Sequence, residues 1–234
     1  MSKHKRATTF YCFSPAVMLG TFFIEIALVF FTLFTRKLNK TIKLGIAMLM
    51  CLAIFQAAEY GICEFWSLND VVWAKLGFTA ITLLPPLGLH LVYSIAGRKV
   101  DWLVWLSYIA AAVWIGVFVF GTLMKGAVCE GNYVIFHIPE PHEGWYYLYY
   151  DSLLIIAMST AFMMSKTEQV KRVKIALQSL VVGYLAFIVP SIAFTTFDTY
   201  HGVDSPLPSI MCGFAVLLAL ILTFRVLPYS SRRR

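Results

Sequence analysis

Seven long apolar runs divide this chain and limit it to a fold inside a membrane. They cover residues 14–35, 44–65, 72–95, 102–124, 145–165, 175–194 and 210–226. At about 20 residues each, they are long enough to cross about 30 Å of hydrocarbon as helices. A helix satisfies its own backbone hydrogen bonds in lipid, and the alternating pattern of a membrane barrel is absent. The sequence therefore predicts an all-α integral membrane protein, with residues 1–234 forming a single seven-helix bundle.

Composition supports this class and excludes a nucleic-acid binder. The chain is 60% hydrophobic and 13% charged, whereas a soluble domain averages about 25% charged residues. Its 19 Lys and Arg against 12 Asp and Glu give a net charge of +7. These charges cluster in short segments between apolar runs instead of forming the basic stripe of a nucleic-acid interface. The lipid bilayer is the predicted partner, and a bacterial inner or plasma membrane the predicted location.

The distribution of basic residues predicts which terminus faces the cytoplasm. Seven crossings divide the 19 basic residues into fourteen on one side and five on the other. The richer side carries Arg36, Lys37, Lys40, Lys43, Arg98, Lys99, Lys166, Lys171, Arg172, Lys174, Arg225 and Arg232 to Arg234. By the positive-inside rule, the carboxyl terminus is cytoplasmic and the amino terminus exoplasmic. The basic leader 3–6 argues for the opposite orientation.

A polar face in the second run is the strongest candidate for a functional site. Gln56, Glu59, Tyr60 and Cys63 follow the spacing i, i+3, i+4 and i+7, so they share one face of a helix. A carboxyl group is costly against lipid, so this face is expected to look into protein or a wet cavity. Asp151, two turns into the fifth run, is predicted at the same exoplasmic depth. For Glu59, a neutral acid that packs between helices and a functional site remain equally open. We predict a ligand pocket around Gln56, Glu59, Tyr60 and Asp151.

The other intramembrane acid receives a structural interpretation. Glu25 lies near the middle of the first run, among Phe, Ile and Leu residues. A neutral acid that hydrogen-bonds between helices is a packing device of about 1–2 kcal/mol. The sequence favours this packing role for Glu25.

A double proline in the third run predicts a kinked helix beside a histidine. Pro85 and Pro86 remove two backbone donors and are expected to kink the helix, which frees carbonyl groups near mid-membrane. His90 follows one turn after Pro86, and Tyr93 is its expected partner on the same face. A cavity residue and a packing residue both remain open for His90, and the packing role is favoured because single histidines in apolar helices usually serve it.

Histidines and cysteines near the exoplasmic face suggest a metal site and a disulfide. His137 and His142, with His201 in the next exoplasmic loop, form an alternative divalent-metal site. Pro139 and Pro141 prevent a preorganising helix there, so a solvated loop is favoured. Cys12, Cys63 and Cys129 all fall near this face, and a Cys63–Cys129 disulfide is the predicted pair. No cofactor is predicted, and retinal is excluded because the last run lacks a lysine.

Two short motifs resemble an uncharacterised bacterial family of small multi-pass membrane proteins. That family opens with a Cys-Phe-Ser motif, which matches Cys12-Phe13-Ser14, and carries a Phe-x-x-Gln-x-x-Glu-type pattern in its second helix. Phe55-Gln56-Ala57-Ala58-Glu59 matches that pattern in part, and Pro86 and His90 look similar too. The resemblance adds Cys12 and Ser14 to the candidate ligand-binding set and implies no activity. A looser resemblance is to the seven-helix sensor modules of bacterial histidine kinases.

Three hypotheses for function remain, and the first is favoured. No phosphate loop, nucleophile motif or HExxH motif is present, so we predict a non-enzymatic ligand-binding or sensing module for a small ligand or lipid. The second hypothesis is a small proton- or cation-coupled transporter or channel. The third is a membrane-embedded metal hydrolase that uses His90 or the histidines of the exoplasmic loops. Gly183 and Ala186 are small enough to permit helix packing within the bundle or between copies in a homo-oligomer.

Overall fold

The protein is a helical bundle with one short β-hairpin. The computed structural model describes residues 15–64, 69–124, 126–129, 134–136, 138–139, 141–200 and 207–230. Its helices are α1 (Pro15–Thr35), α2 (Lys40–Glu64), α3 (Asp70–Thr82), α4 (Leu84–Ala96), α5 (Trp102–Phe120), α6 (His142–Thr167), α7 (Lys171–Tyr200), α8 (Leu207–Ile221) and α9 (Leu227–Tyr229). A π-helical turn, Leu222–Val226, connects α8 directly to α9.

Six helical segments of the described chain are long and apolar enough to cross a membrane. They are Ala16–Thr35, Lys40–Glu64, Asp70–Ala96, Trp102–Phe120, His142–Thr167 and Lys171–Pro190. The first six predicted runs are thus confirmed as long apolar helices. The last apolar helix is described as Gly213–Tyr229 and is shorter than the others. The seventh crossing therefore stays a prediction.

The hairpin was not predicted and qualifies the all-α expectation. Strands β1 (Ala127–Cys129) and β2 (Val134–Phe136) pair antiparallel between α5 and α6, with Ala127 opposite Phe136. The Phe136 ring packs against Phe55 at 5.7 Å and against Phe78 at 4.9 Å between ring centroids. An isolated two-stranded hairpin is at best marginally stable. Its contacts with α2 and α3 therefore hold it in place.

The centre of the bundle is formed by α2 and by the broken span α3–α4. α2 packs against α1, α3, α4, α8 and the hairpin. In the most apolar stretch of Asp70–Ala96, 72% of the residues are buried, against 22% for Trp102–Phe120. α5 is thus peripheral, and most of its surface is not covered by other helices. The buried polar residues Gln56 and Glu59 of α2 lie in this central part of the bundle.

The double proline interrupts the third span, where the sequence predicts a kink. α3 ends at Thr82 and α4 begins at Leu84, with the prolines in the first turn of α4. Pro86 has no N–H for the Thr82 carbonyl four residues earlier. The Tyr149 hydroxyl on α6 donates to that carbonyl instead, at 2.8 Å. A side chain from a neighbouring helix therefore satisfies the backbone group that the break has freed.

Tyr149→Phe is expected to destabilise the protein by about 1–3 kcal/mol, because it leaves the Thr82 carbonyl without a donor in a water-poor environment. Thermal unfolding in detergent measures this cost. Repeating the substitution in a Pro86→Ala background supplies the control, since alanine returns a backbone N–H to the break. The cost of Tyr149→Phe should shrink there. An equal cost in both backgrounds would contradict the assigned role of the hydroxyl.

Candidate functional site

The candidate site is built on α2, where polar side chains interrupt an otherwise apolar helix. Gln56 is 2% exposed and Glu59 is 1% exposed, while Tyr60 is half-buried. Both fully buried residues therefore lie on the side of α2 that faces protein, as their helical spacing predicts. The Nε2 atom of Gln56 is buried and has no hydrogen-bond partner among the described residues.

A second carboxyl joins this face from α1. Glu25 is 0% exposed, and neither of its oxygens has a hydrogen-bond partner among the described residues. α1 packs against α2, and both helices bury a carboxyl, Glu25 on α1 and Glu59 on α2. The charge of Glu59 acts on Glu25, so the two acids are considered together as one candidate site. The sequence favoured a packing role for Glu25 and did not pair it with Glu59. Thr21, Glu25 and Thr32 share the buried face of α1, and this spacing was the available signal for that face.

Asp151 occupies a different environment from the one expected for a pocket residue. It lies on the exposed face of α6, and its electrostatic interaction is with Tyr147, one turn earlier on the same helix. α6 packs mainly against α4 and α7. The acid that interacts with Glu59 across a helix boundary is thus Glu25, and Asp151 is not placed in the site.

His90 forms a separate polar contact nearer the other end of the bundle. Its Nδ1 atom lies 3.1 Å from the Tyr108 hydroxyl on α5, and the two rings meet edge to face. The expected partner, Tyr93, instead donates to Asp101 at 2.7 Å. His90 also interacts electrostatically with Lys40, the first residue of α2. Since Lys40 and Glu59 are separated by about 28 Å along a helix, His90 does not belong to the carboxyl site.

The structure tests few of the residues proposed for a metal site. His142 is the exposed first residue of α6. His137 and His201 lie outside the described residues, as do Cys12 and Ser14. In the part of the chain that is described, no group of three or more His, Cys, Asp or Glu side chains could hold a metal ion.

A disulfide links the end of α2 to the hairpin, one helical turn from Glu59. Cys63 on α2 is bonded to Cys129 on β1, with their Cα atoms 5.2 Å apart. Cys63 follows Glu59 by one helical turn, so the hairpin is anchored close to the polar face. The disulfide and the Phe136 contacts together fix the hairpin against this end of the bundle.

No family model and no curated protein matches the chain. Function must therefore be argued from the site itself. The site offers two interacting carboxyls and one primary amide, all buried within apolar helices. Such groups can bind protons, cations or hydrogen-bonding ligands, and intramembrane acids commonly have these roles.

Proposed function

We propose that the chain is a seven-helix integral membrane protein that acts as a ligand-binding or sensing module. Six long apolar helices support membrane insertion. The helix Gly213–Tyr229 supplies the proposed seventh crossing, since α8 continues through the π turn into α9 without a break. The ligand would bind in the exoplasmic half, between α1 and α2.

Two observations support an exoplasmic amino terminus. The disulfide joins the carboxyl end of α2 to the hairpin between α5 and α6, and disulfides persist in oxidising compartments. The opposite ends of the helices carry exposed basic residues, among them Lys37, Lys43, Arg98 and Lys99. Cytoplasmic loops are enriched in such residues. Both observations support an orientation in which α1 starts on the exoplasmic side.

The buried, unpartnered carboxyl of Glu25 is the observation that carries the functional proposal. A buried polar group without a hydrogen bond costs about 1–3 kcal/mol. Two such groups, the Glu25 carboxyl and the Gln56 amide, occur on the two helices that meet at Glu59. A purely structural contact would be expected to pair these groups with each other or with the backbone. A bound partner would satisfy them.

We expect Glu25→Gln and Glu59→Gln each to reduce retention of a bound ligand at least about tenfold, which corresponds to a loss of about 1.4 kcal/mol. Native mass spectrometry with elemental analysis of gently solubilised protein measures retention. Glu64→Gln is the matched control, because Glu64 is an exposed acid at the end of the same helix. Asp151→Asn should likewise have no effect. Equal retention in all four variants would contradict the proposal.

A small proton- or cation-coupled transporter or channel is the second candidate. It is favoured by the interaction of two carboxyls inside apolar helices, because proton relays and ion pathways use intramembrane acids. Proteoliposome flux that is lost in Glu59→Gln and kept in Glu64→Gln would select this candidate. The metal-hydrolase alternative relies on His90 or on His137, His142 and His201. Of these, His90 contacts Tyr108, His142 is exposed, and His137 and His201 lie outside the described residues.

A further inference from the structure

The chemical class of the ligand follows from how the buried acids must be neutralised. Glu25 is the eleventh of 21 residues in α1, so it lies about 15 Å from either end of the helix. Both of its oxygens are buried without a hydrogen-bond partner among the described residues. An ionised carboxylate in such a place is unfavourable unless a positive charge or several donors accompany it. Any charge on this carboxyl therefore needs a nearby counter-charge.

The helices around Glu25 supply no such counter-charge at its depth. α1 packs against α2 and α8, and Glu25 is the titratable residue of α1 itself. The titratable residues on the adjacent segments are Lys40, Lys43, Cys51, Glu59, Tyr60 and Glu64 on α2, Cys212 on α8, Arg225 in the π turn and Tyr229 on α9. The bases among them lie toward the cytoplasmic ends. The neighbour that interacts electrostatically with Glu25 is the acid Glu59.

We propose that the ligand of this site is a small monovalent cation, which binds at the buried Glu25 carboxyl in exchange for a proton. This inference rests on the proposed function, because it concerns the same site. In the free site, a proton on the Glu25 carboxyl keeps that group neutral. When the cation binds, the O–H bond of the carboxyl breaks, the proton leaves to water, and the carboxylate oxygens coordinate the cation.

Charge balance favours this exchange over other ligand classes. One positive charge enters as another leaves, so the net charge buried in the membrane does not change. An anionic ligand would add negative charge beside two acids, which is unfavourable in a low dielectric. A divalent metal would exchange two positive charges for the one proton on Glu25 and would leave an excess charge buried in a low dielectric.

Gln56 supplies the second, independent sign of a binding site. Its amide is 2% exposed, and its Nε2 atom has no hydrogen-bond partner among the described residues. It lies on the α2 face that carries Glu59, three residues away. The amide can donate to a carboxylate once the proton has left, and its oxygen can coordinate a cation. Both actions stabilise the cation-bound state.

Infrared spectroscopy of the purified protein in lipid tests the exchange directly. A protonated carboxyl gives a C=O stretching band that shifts in D2O. An ionised carboxylate lacks this band. We expect this band in tetramethylammonium buffer, its loss in Glu25→Gln and its retention in Glu64→Gln. Adding Na⁺ or methylammonium should diminish the band in wild type and release a proton for each cation bound. The two additions distinguish an inorganic ion from a protonated amine as the source of the charge.

Several outcomes would overturn the cation proposal. A C=O band that is lost in Glu25→Gln but keeps its intensity when either cation is added would show that Glu25 binds only a proton. Absence of the band in wild type would show that Glu25 is already ionised. Glu25→Asp retains a carboxyl if Glu25→Gln does not fold, and should keep a band at an altered frequency. An uncharged ligand retained by wild type and lost in Glu59→Gln would overturn the cation class while leaving the proposed function intact.

Discussion

Gly88→Ala is expected to destabilise the protein by about 1–3 kcal/mol, in the range of overpacked cores. Gly88 lies in α4, where the helix passes directly beneath the hydroxyl of Tyr184 on α7. An added Cβ would overlap the Tyr184 oxygen, with the ring carbon that bears it at 3.4 Å. Tyr184 is 1% exposed, so its stiff ring has little room to move away. The contact between α4 and α7 therefore requires a residue without a side chain.

A second substitution isolates the overlap from other effects of alanine. Tyr184→Phe removes the overlapping oxygen and leaves the ring carbon at an ordinary contact distance from an alanine Cβ. In this background, Gly88→Ala should cost clearly less than in wild type, with a coupling of about 0.5–3 kcal/mol between the two sites. Tyr184→Phe is measured alone to account for any other interaction of the hydroxyl.

Thermal unfolding in detergent of wild type, Gly88→Ala, Tyr184→Phe and the double variant gives the coupling free energy between the two residues. Gly116→Ala is the matched control, because an added Cβ in α5 meets nothing within 4 Å. That change should be neutral or slightly stabilising, since alanine is a better helix former than glycine by about 1 kcal/mol. Equal destabilisation by Gly88→Ala in both backgrounds would contradict the packing against Tyr184.

Much of the secondary structure could be predicted from the requirements that a lipid environment places on a backbone. Lipid requires helices of a certain length, so the first six spans follow from apolar run lengths alone. The break after Thr82 follows from the missing N–H groups of Pro85 and Pro86. The hairpin could not be predicted in this way, because its strands are three residues long and carry no extended alternating pattern.

The site was predicted less completely, because periodicity describes one helix at a time. The shared face of Gln56 and Glu59 is a property of α2 alone, so spacing was enough to find it. The interaction of Glu59 with Glu25 depends on how α1 and α2 pack, and that of His90 with Tyr108 on how α4 and α5 pack. Depth along a helix suggested Asp151 as a partner of Glu59. Depth does not determine the direction in which a side chain points.

Loss of the Cys63–Cys129 disulfide is the second large expected effect, at about 2–4 kcal/mol. The bond spans 66 residues of sequence, and a cross-link over a loop of that length removes about 4 kcal/mol of chain entropy from an unconstrained unfolded state. The membrane already constrains the helices between the two cysteines, which lowers this gain. The hairpin also depends on the bond, because two strands of three residues are marginal alone.

Cys63→Ser combined with Cys129→Ser removes the cross-link without leaving a lone thiol. The unfolding midpoint of this double variant should fall, and treatment of wild type with a reductant should lower its midpoint by a similar amount. Reductant should leave the double variant unchanged, which controls for other effects of the reagent. Cys51 is buried and free, so Cys51→Ala tests whether loss of a thiol alone matters, and it should cost less.

The same double variant also tests how the hairpin is held against the end of α2. If the disulfide is the main anchor, limited proteolysis should cleave the segment between β1 and β2 much faster in the double variant than in wild type. If the stability and the cleavage rate both stay unchanged, the packing of Phe136 against Phe55 and Phe78 would be sufficient by itself. In that case the hairpin would stay packed against the end of α2 whether or not the Cys63–Cys129 bond is formed.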